Sequence, residues 1–313
     1  MVNPKLKLEN HKIFRLRLKK NFKSPTFKKT RLTKSWMAGF IDGEGSFALE
    51  KVDFSKSSRP NSKSFIRPIL SISQNDPQLL YKIRDYFGCG KVTRKSKKAW
   101  HFRCRNHNDF RKFIIPRLKN APFQTIKQYQ LELIRDEAMP LLGGSSPTKE
   151  KELLKILGKI QDSRKNLCYT TQNPIDFDWF LGFFEGEGNF TLKVKQVPKN
   201  SIRISFKVSQ KNKNVLDKIQ AFWKFGKVQS EGYTRKMWKY SVEGIKNVSE
   251  YGIKIFENHS LKGKKNLERA KFLKAIQILL KQEGFVTYYS KATMEQLDKL
   301  EKGIHEVRLR IQN

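Results

Sequence analysis

The sequence predicts an α+β chain of two pseudo-symmetric half-domains, each running αββαββα. Three observations carry that prediction. First, Trp36-Met37-Ala38-Gly39-Phe40-Ile41-Asp42-Gly43-Glu44-Gly45 recurs as Trp179-Phe180-Leu181-Gly182-Phe183-Phe184-Glu185-Gly186-Glu187-Gly188. Second, later matches keep the same order: Ile72-Ser73-Gln74 with Val208-Ser209-Gln210, Gly90-Lys91-Val92 with Gly226-Lys227-Val228, and Pro122-Phe123 and Lys127 with Ser260-Leu261 and Lys265. The period of about 140 residues is too long for a solenoid and suits a duplicated half-domain. Third, each copy alternates strand-like and helix-like apolar spacing in one order.

Taken in order, residues 1–34 hold twelve Lys or Arg against the single acid Glu9, with Phe14, Phe22 and Phe27 interspersed. They read as a basic arm; a transit peptide is the competing reading, disfavoured by scarce Ser and by Lys over Arg. The first half spans 35–148 and the second 177–313, with a helix and linker over 149–176. In each half a helix stops at Gly-Glu-Gly and a strand pair follows. Ile202 to Ser209 alternates strictly, as do Phe190, Leu192 and Val194 with Thr191, Lys193 and Lys195, so one face is apolar and the other cationic and hydroxylic. Leu79, Leu80, Ile83 and Phe87, and Val215, Leu216, Ile219 and Phe222, have helical spacing. Short strands follow near 91–95, 100–105, 227–230 and 237–242. Longer helices follow near 124–138 and 264–281. Gly143-Gly144-Ser145-Ser146-Pro147 breaks the chain, and Thr148 is the expected cap of a helix to Arg164. Thr148-x-Glu150 with Leu153 matches Thr293-x-Glu295 with Leu297.

Composition narrows the chemistry. Of 313 residues, 38% are hydrophobic and 12% aromatic, too rich for a disordered chain. No apolar run reaches the ~18 residues of a membrane span. Cys89, Cys104 and Cys168 share no metal-ligand spacing, which argues against a zinc finger or a disulfide framework. The 65 Lys and Arg outnumber 29 Asp and Glu, a formal charge of +36. The partner this implies is a polyanion, with nucleic acid foremost. Arg203, Lys207, Lys193 and Lys195 have almost no acidic neighbours in sequence, unlike a solvated face of mixed sign.

Gly39 and Gly43, and Gly182 and Gly186, lie four apart on one helix face. Each glycine costs about 1 kcal/mol relative to alanine in a helix interior. Paired copies are explained if the two helices pack closely, with Ala38, Gly39, Gly43, Leu181, Gly182 and Gly186 at the interface. Glu44 and Glu187 end these helices, where a negative charge opposes the helix dipole. Brought side by side, the carboxylates repel unless a cation sits with them, and oxygen ligands with open water positions suit Mg2+. Asp42 and Glu185 face elsewhere and are expected to be structural, bonding to the start of the opposite helix.

Met37 to Gly45 and Phe180 to Gly188 resemble the two copies of the motif that names the LAGLIDADG homing endonucleases. Both copies carry Glu for the final Asp and Gly for the preceding Ala. The resemblance, over residues 35–313, implies a monomer that imitates a dimer, with two antiparallel sheets forming a DNA-binding saddle. It implies a site-specific cut of double-stranded DNA that initiates intron homing and leaves short 3′ overhangs. Glu44 and Glu187 would be the catalytic metal pair, with Gly43 and Gly186 beside them and two or three Mg2+ ions (Mn2+ or Ca2+ substituting in binding). Gln74 and Gln210 would position water, or else simply bond backbone at their strand ends. Lys246 would be the basic residue after the fourth strand; its first-half counterpart is Asn108, which makes that role asymmetric.

Strand parity nominates Arg67, Ser71, Ser73, Arg94, His101, Arg103 and Arg105 in the first half for DNA contact. Lys193, Lys195, Arg203, Ser205, Lys207 and Lys239 are nominated in the second. The resemblance leaves a second reading open, an intron RNA maturase that binds RNA and aids splicing. A ribosome-associated structural protein would explain the charge but not the placement of two acids. Richness in Lys, Asn, Ile and Phe hints at an AT-rich genome, and the resemblance implies coding in a mitochondrial or chloroplast intron.

Overall fold

In the computed structural model the described residues are 31–53, 64–96, 99–143, 146–166, 168–195, 201–232, 237–281 and 289–309. The basic arm with Phe14, Phe22 and Phe27 lies outside them, apart from its last four residues.

The first half begins with helix α1 (Lys34–Glu44), strands β1 (Gly45–Val52) and β2 (Phe65–Gln74), and helix α2 (Pro77–Phe87). Strands β3 (Lys91–Ser96) and β4 (Ala99–Cys104) follow, then helical segments α3 (107–118) and α4 (127–138), and helix α5 (Pro147–Ser163). The second half repeats this with α6 (Phe177–Glu187), β5 (Gly188–Lys195), β6 (Ser201–Gln210), α7 (Lys213–Trp223), β7 (Lys227–Ser230) and β8 (Trp238–Glu243). It closes with segment α8 (245–256) and helices α9 (Lys265–Lys281) and α10 (Lys291–Leu309). Each half carries an antiparallel four-stranded sheet, ordered β1-β2-β4-β3 and β5-β6-β8-β7. The predicted order αββαββα is present in both halves.

Segments α3 and α8 were not expected. Both lie between the fourth strand and the closing helix, and each adds buried side chains to the core, Phe110 and Ile114 in one half and Val248, Ile255 and Phe256 in the other. The expected Thr148 cap is corrected: Ser146 occupies the N-cap and Pro147 the first turn, because proline's fixed φ suits a helix start.

Each sheet has a buried and an open face. Phe47, Leu49, Leu70, Ile72, Phe102 and Cys104 are buried on one side, and Phe190, Leu192, Phe206, Val208, Tyr240 and Val242 on the other half's equivalent. Helices α1 and α6 pack against each other between the halves. A Cβ at Gly39 would fall on the Trp179 carbonyl, and one at Gly182 on the Trp36 carbonyl. Backbone therefore meets backbone at both crossings, which is why the helices tolerate glycine there. Ala38 and Leu181 are also buried, and Trp36 and Trp179 stack within their own helices on Phe40 (5.0 Å) and Phe183 (4.8 Å).

Candidate active site and nucleic-acid interface

The starts of the two motif helices are cross-linked. Thr33 caps α1 by accepting from the Trp36 amide (3.1 Å), and Asp176 caps α6 by accepting from the Trp179 amide (2.7 Å). The Ser35 hydroxyl donates to Asp176 (2.6 Å) and the Thr33 hydroxyl to Asp178 (2.8 Å). These bonds fix where the opposite ends emerge.

Those ends carry Glu44 and Glu187. A Cβ at Gly43 would lie 3.2 Å from Glu187 Cγ, and one at Gly186 would lie 2.9 Å from Glu44 Cγ. Each glutamate therefore crosses the other helix's last motif glycine, and the glycines make room for the acids as well as for the helix pair. Burial, then the charge of Glu187, raises the Glu44 carboxyl to about 7 against the pull of Lys265 and Lys127. Burial likewise raises Glu187, and the same two lysines oppose it. Two half-buried carboxylates, each costly to ionise alone, form a donor set that fits a hard divalent cation.

The lysines are the main correction to the sequence reading. Lys127 Nζ donates to the carbonyls of Ile41 and Asp42 (both 2.7 Å) and Gly43 (3.3 Å). Lys265 Nζ donates to Phe184 and Gly186 (both 3.1 Å) and Gly188 (2.6 Å). Each ammonium bonds carbonyls at a motif helix's C-terminus, where Ile41 and Phe184 also accept from the Gly45 and Gly188 amides, and offsets the helix dipole. Burial lowers both lysine pKa values while the carboxylates hold them up. Lys246 is elsewhere. Gly188 is level with Val208, which pairs with Tyr240, whereas Lys246 follows β8 beyond Glu243, opposite Ser205. It is exposed at the start of α8, and Asn108 sits in the equivalent place at the start of α3. The cations that act on both carboxylates are instead Lys127 and Lys265, one from each half. Lys127 and Lys265 were already matched within the repeat; what the sequence hid was that their ammonium groups reach main-chain carbonyls.

Asp42 and Glu185 are buried and structural. Asp42 accepts from the Gln124 amide (2.7 Å), the Thr125 hydroxyl and the Trp179 indole (2.9 Å). Glu185 accepts from the Lys262 amide (2.5 Å). Among the described residues Asp42 bonds to the opposite helix start and Glu185 does not; both acids hold the turn that delivers the half's own lysine. Burial raises both carboxyls. Gln74 makes the expected backbone bond at its strand end, Oε1 accepting from the Asn75 amide (3.2 Å), and its Nε2 also donates to Glu44 (3.0 Å). Gln210 accepts from the Lys211 amide (2.9 Å).

The open sheet faces carry most of the nominated contact residues. Ser71 pairs with Arg103 and Ser73 with His101, with Arg67 on the same face of β2. Arg105 follows at the end of β4 and lies 3.6 Å from Glu50. In the second sheet Lys193 faces Arg203, Lys195 faces Ser201, Ser205 lies beside Thr191, and Ser209 faces Lys239. Lys207 lies between Asn189 and Ser241 on the same face. Arg94 is corrected: it pairs with Trp100, on the parity of Val92 and Phe102, so Lys91 and Thr93 take the open face in its place. The second face is also less free of acid than the sequence implied. Lys207 pairs with Glu231, Lys239 with Glu243 (3.3 Å) and Lys193 with Glu301 (3.0 Å). Glu231 and Glu301 reach the face from outside its strands. His101 is buried and bonded to Ser73 (3.0 Å), and burial followed by Arg103 lowers its pKa.

A family model described as LAGLIDADG endonuclease matches residues 37–138 and 180–276. "Probable intron-encoded DNA endonuclease 1" of Mycosarcoma maydis is 23% identical over 74% of this chain and 96% of its own length. "Probable intron-encoded endonuclease Cox1-I1b" of Schizosaccharomyces pombe is 26% identical over 62% of this chain, which spans 50% of that relative. Among solved structures, I-SmaMI bound to an uncleaved DNA target with calcium ions superposes with a TM-score of 0.71 at 18% identity, covering 88% of this chain and 99% of that one. I-GzeII in complex with its DNA target gives 0.71 at 20% identity, over 87% and 97%. With both motifs inside the matched residues, the chain belongs to the LAGLIDADG endonuclease family.

Proposed function

We propose that the chain is a site-specific endonuclease that cuts double-stranded DNA as a monomer, one half-site per strand, and initiates the homing of its own intron. The observation that carries this is the crossing of Glu44 and Glu187 over each other's helix ends, with Lys127 and Lys265 beneath. The cofactor is Mg2+. When bound, it supplies Lewis-acid activation of water and of the departing 3′ oxygen. The protein residues do the rest. Glu44 and Glu187 would hold the ions, beside the Gly43 and Gly186 carbonyls. Lys127 and Lys265 place positive charge where negative charge develops. Gln74 orients Glu44. The open faces, with Arg67, Arg103, Lys193, Arg203 and Lys207 among their side chains, take the duplex, and their different residues suit an asymmetric target.

Both motif acids are present and converge, which favours the nuclease over an RNA maturase. The intron-encoded relatives, one named for a cox1 intron, support coding in an organelle genome. No helix among the described residues is long and apolar enough to cross a membrane. The test is cleavage of a duplex spanning the host gene's joined flanking exons. Double-strand cutting in Mg2+ that stops with chelator supports the proposal. Intact duplex, with binding to the intron transcript instead, would overturn it.

A further inference from the structure

Sequence spacing gave the cysteines no metal role, yet the fold gathers two of them. Cys89 follows α2 and Cys104 ends β4. The β3–β4 hairpin pairs Lys91 with Arg103 and so brings the thiols to 3.7 Å from each other. The Asp109 carboxylate, one turn into α3, completes a set in which all three ligand atoms lie within 4.8 Å of one another. Cys104 is buried, while Cys89 and Asp109 are partly open, which leaves an entry path.

We propose that Cys89, Cys104 and Asp109 bind one soft divalent ion, zinc by ligand chemistry, at the outer edge of the first sheet. Zinc–thiolate bonds of about 2.3 Å at a tetrahedral angle separate two sulfurs by about 3.8 Å, close to the spacing present. Two thiolates and a carboxylate are softer and more negative than anything a Mg2+ site offers. With zinc the cluster carries one net negative charge, and Arg117, which lies close enough to act on Cys89, balances it. The fourth position is left for water.

The duplication supplies a control. At the places equivalent to Cys89 and Cys104 the second half has Phe225 and Val242. There Phe225 stacks on Tyr251 with ring centroids 3.9 Å apart, and its carbonyl accepts from Tyr240 (3.0 Å). Aromatic packing ties the turn after α7 to β8 and α8. In the first half the ion would make the same tie between the turn after α2, β4 and α3, behind Arg103 and Arg105.

The site is independent of the DNA-cleavage reading, and so is its test. The reduced full-length chain is titrated with Co2+, which gives a thiolate-to-cobalt charge-transfer band only on sulfur ligands. The expected result is one equivalent bound, displaced by Zn2+, and a rise in melting temperature with Zn2+. The band should persist in Cys168→Ser and in the Glu44→Gln, Glu187→Gln double variant. It should be lost in Cys89→Ser, which is the readout if buried Cys104→Ser fails to fold, and weakened at least tenfold in Asp109→Asn. No band in the wild-type chain, a band surviving Cys89→Ser, or a mass two hydrogen atoms lighter showing a disulfide under these conditions overturns the proposal.

Discussion

In the first half, Gln74 donates to Glu44, and Asp42 takes three donors including the Trp179 indole. In the second half, Gln210 has no bond to Glu187, and Glu185 makes no bond to the first half's Trp36 indole, whose N–H is buried without a partner, among the described residues. Glu185 keeps the bond to the 262–263 turn, the counterpart of the 124–125 turn that Asp42 holds. The halves agree where chemistry is needed once per strand: a glycine pair, a terminal glutamate and a lysine on the helix end. They diverge in what surrounds those parts, and most of all on the open faces. A duplicated scaffold with unlike faces is what an asymmetric duplex requires.

The comparison breaks most easily at the lysines. Lys127→Met and Lys265→Met should each slow nicking of one strand by roughly 100-fold or more, the scale of losing one preorganised positive donor. Strand-labelled duplex reads this directly, and equal loss on both strands from either variant would mean that the halves are not separate sites. The next largest effect concerns pH. Glu44 titrates near 7 rather than 4.5, so the metal-free folded state holds more protons than the unfolded state across that window. Stability therefore falls as pH rises through it, by up to roughly 3 kcal/mol, and levels above. Denaturant unfolding in chelator should show this slope in wild type and a flatter one in Glu44→Gln. Metal-dependent cutting should weaken below pH 7 for the same reason.

Smaller differences sharpen the comparison. Gln74→Leu should cost about tenfold in single-turnover cleavage, the worth of one hydrogen bond to a charged group, and Gln210→Leu distinctly less. Equal losses would show that the Gln74–Glu44 bond does not matter. Smallest is a turn. Gly88 ends α2 at φ 67° and Lys224 ends α7 at φ 59°, each closing with a backbone bond to the residue four before. Only the first uses glycine, so Lys224→Gly should stabilise by about 1 kcal/mol in thermal unfolding.

Much of this was legible in sequence because duplication amplifies weak signals. One glycine pair means little; two copies at matched spacing located the helix crossing, the acids and the half-domain order. Lys127 and Lys265 were visible as a matched pair, but an ammonium reaching main-chain carbonyls 84 to 86 residues back leaves no pattern. Arg94 was misassigned although apolar Val92, two residues before it on short edge strand β3, shares its parity; the register is regular from Lys91 to Arg94 and shifts only beyond it. The ion pairs of Glu231 and Glu301 come from outside the strands they neutralise. The thiol pair could have been found by pairing the hairpin residue by residue; scanning for cysteine spacing could not find it.

The central claim is that Glu44 and Glu187 together hold the ions that cut both strands. Its most direct test is a strand-resolved cleavage assay of Glu44→Gln and Glu187→Gln in Mg2+, with duplex binding measured on the same samples. The account predicts lost or single-strand cutting with binding retained. Double-strand cutting by both variants at the wild-type rate would contradict it.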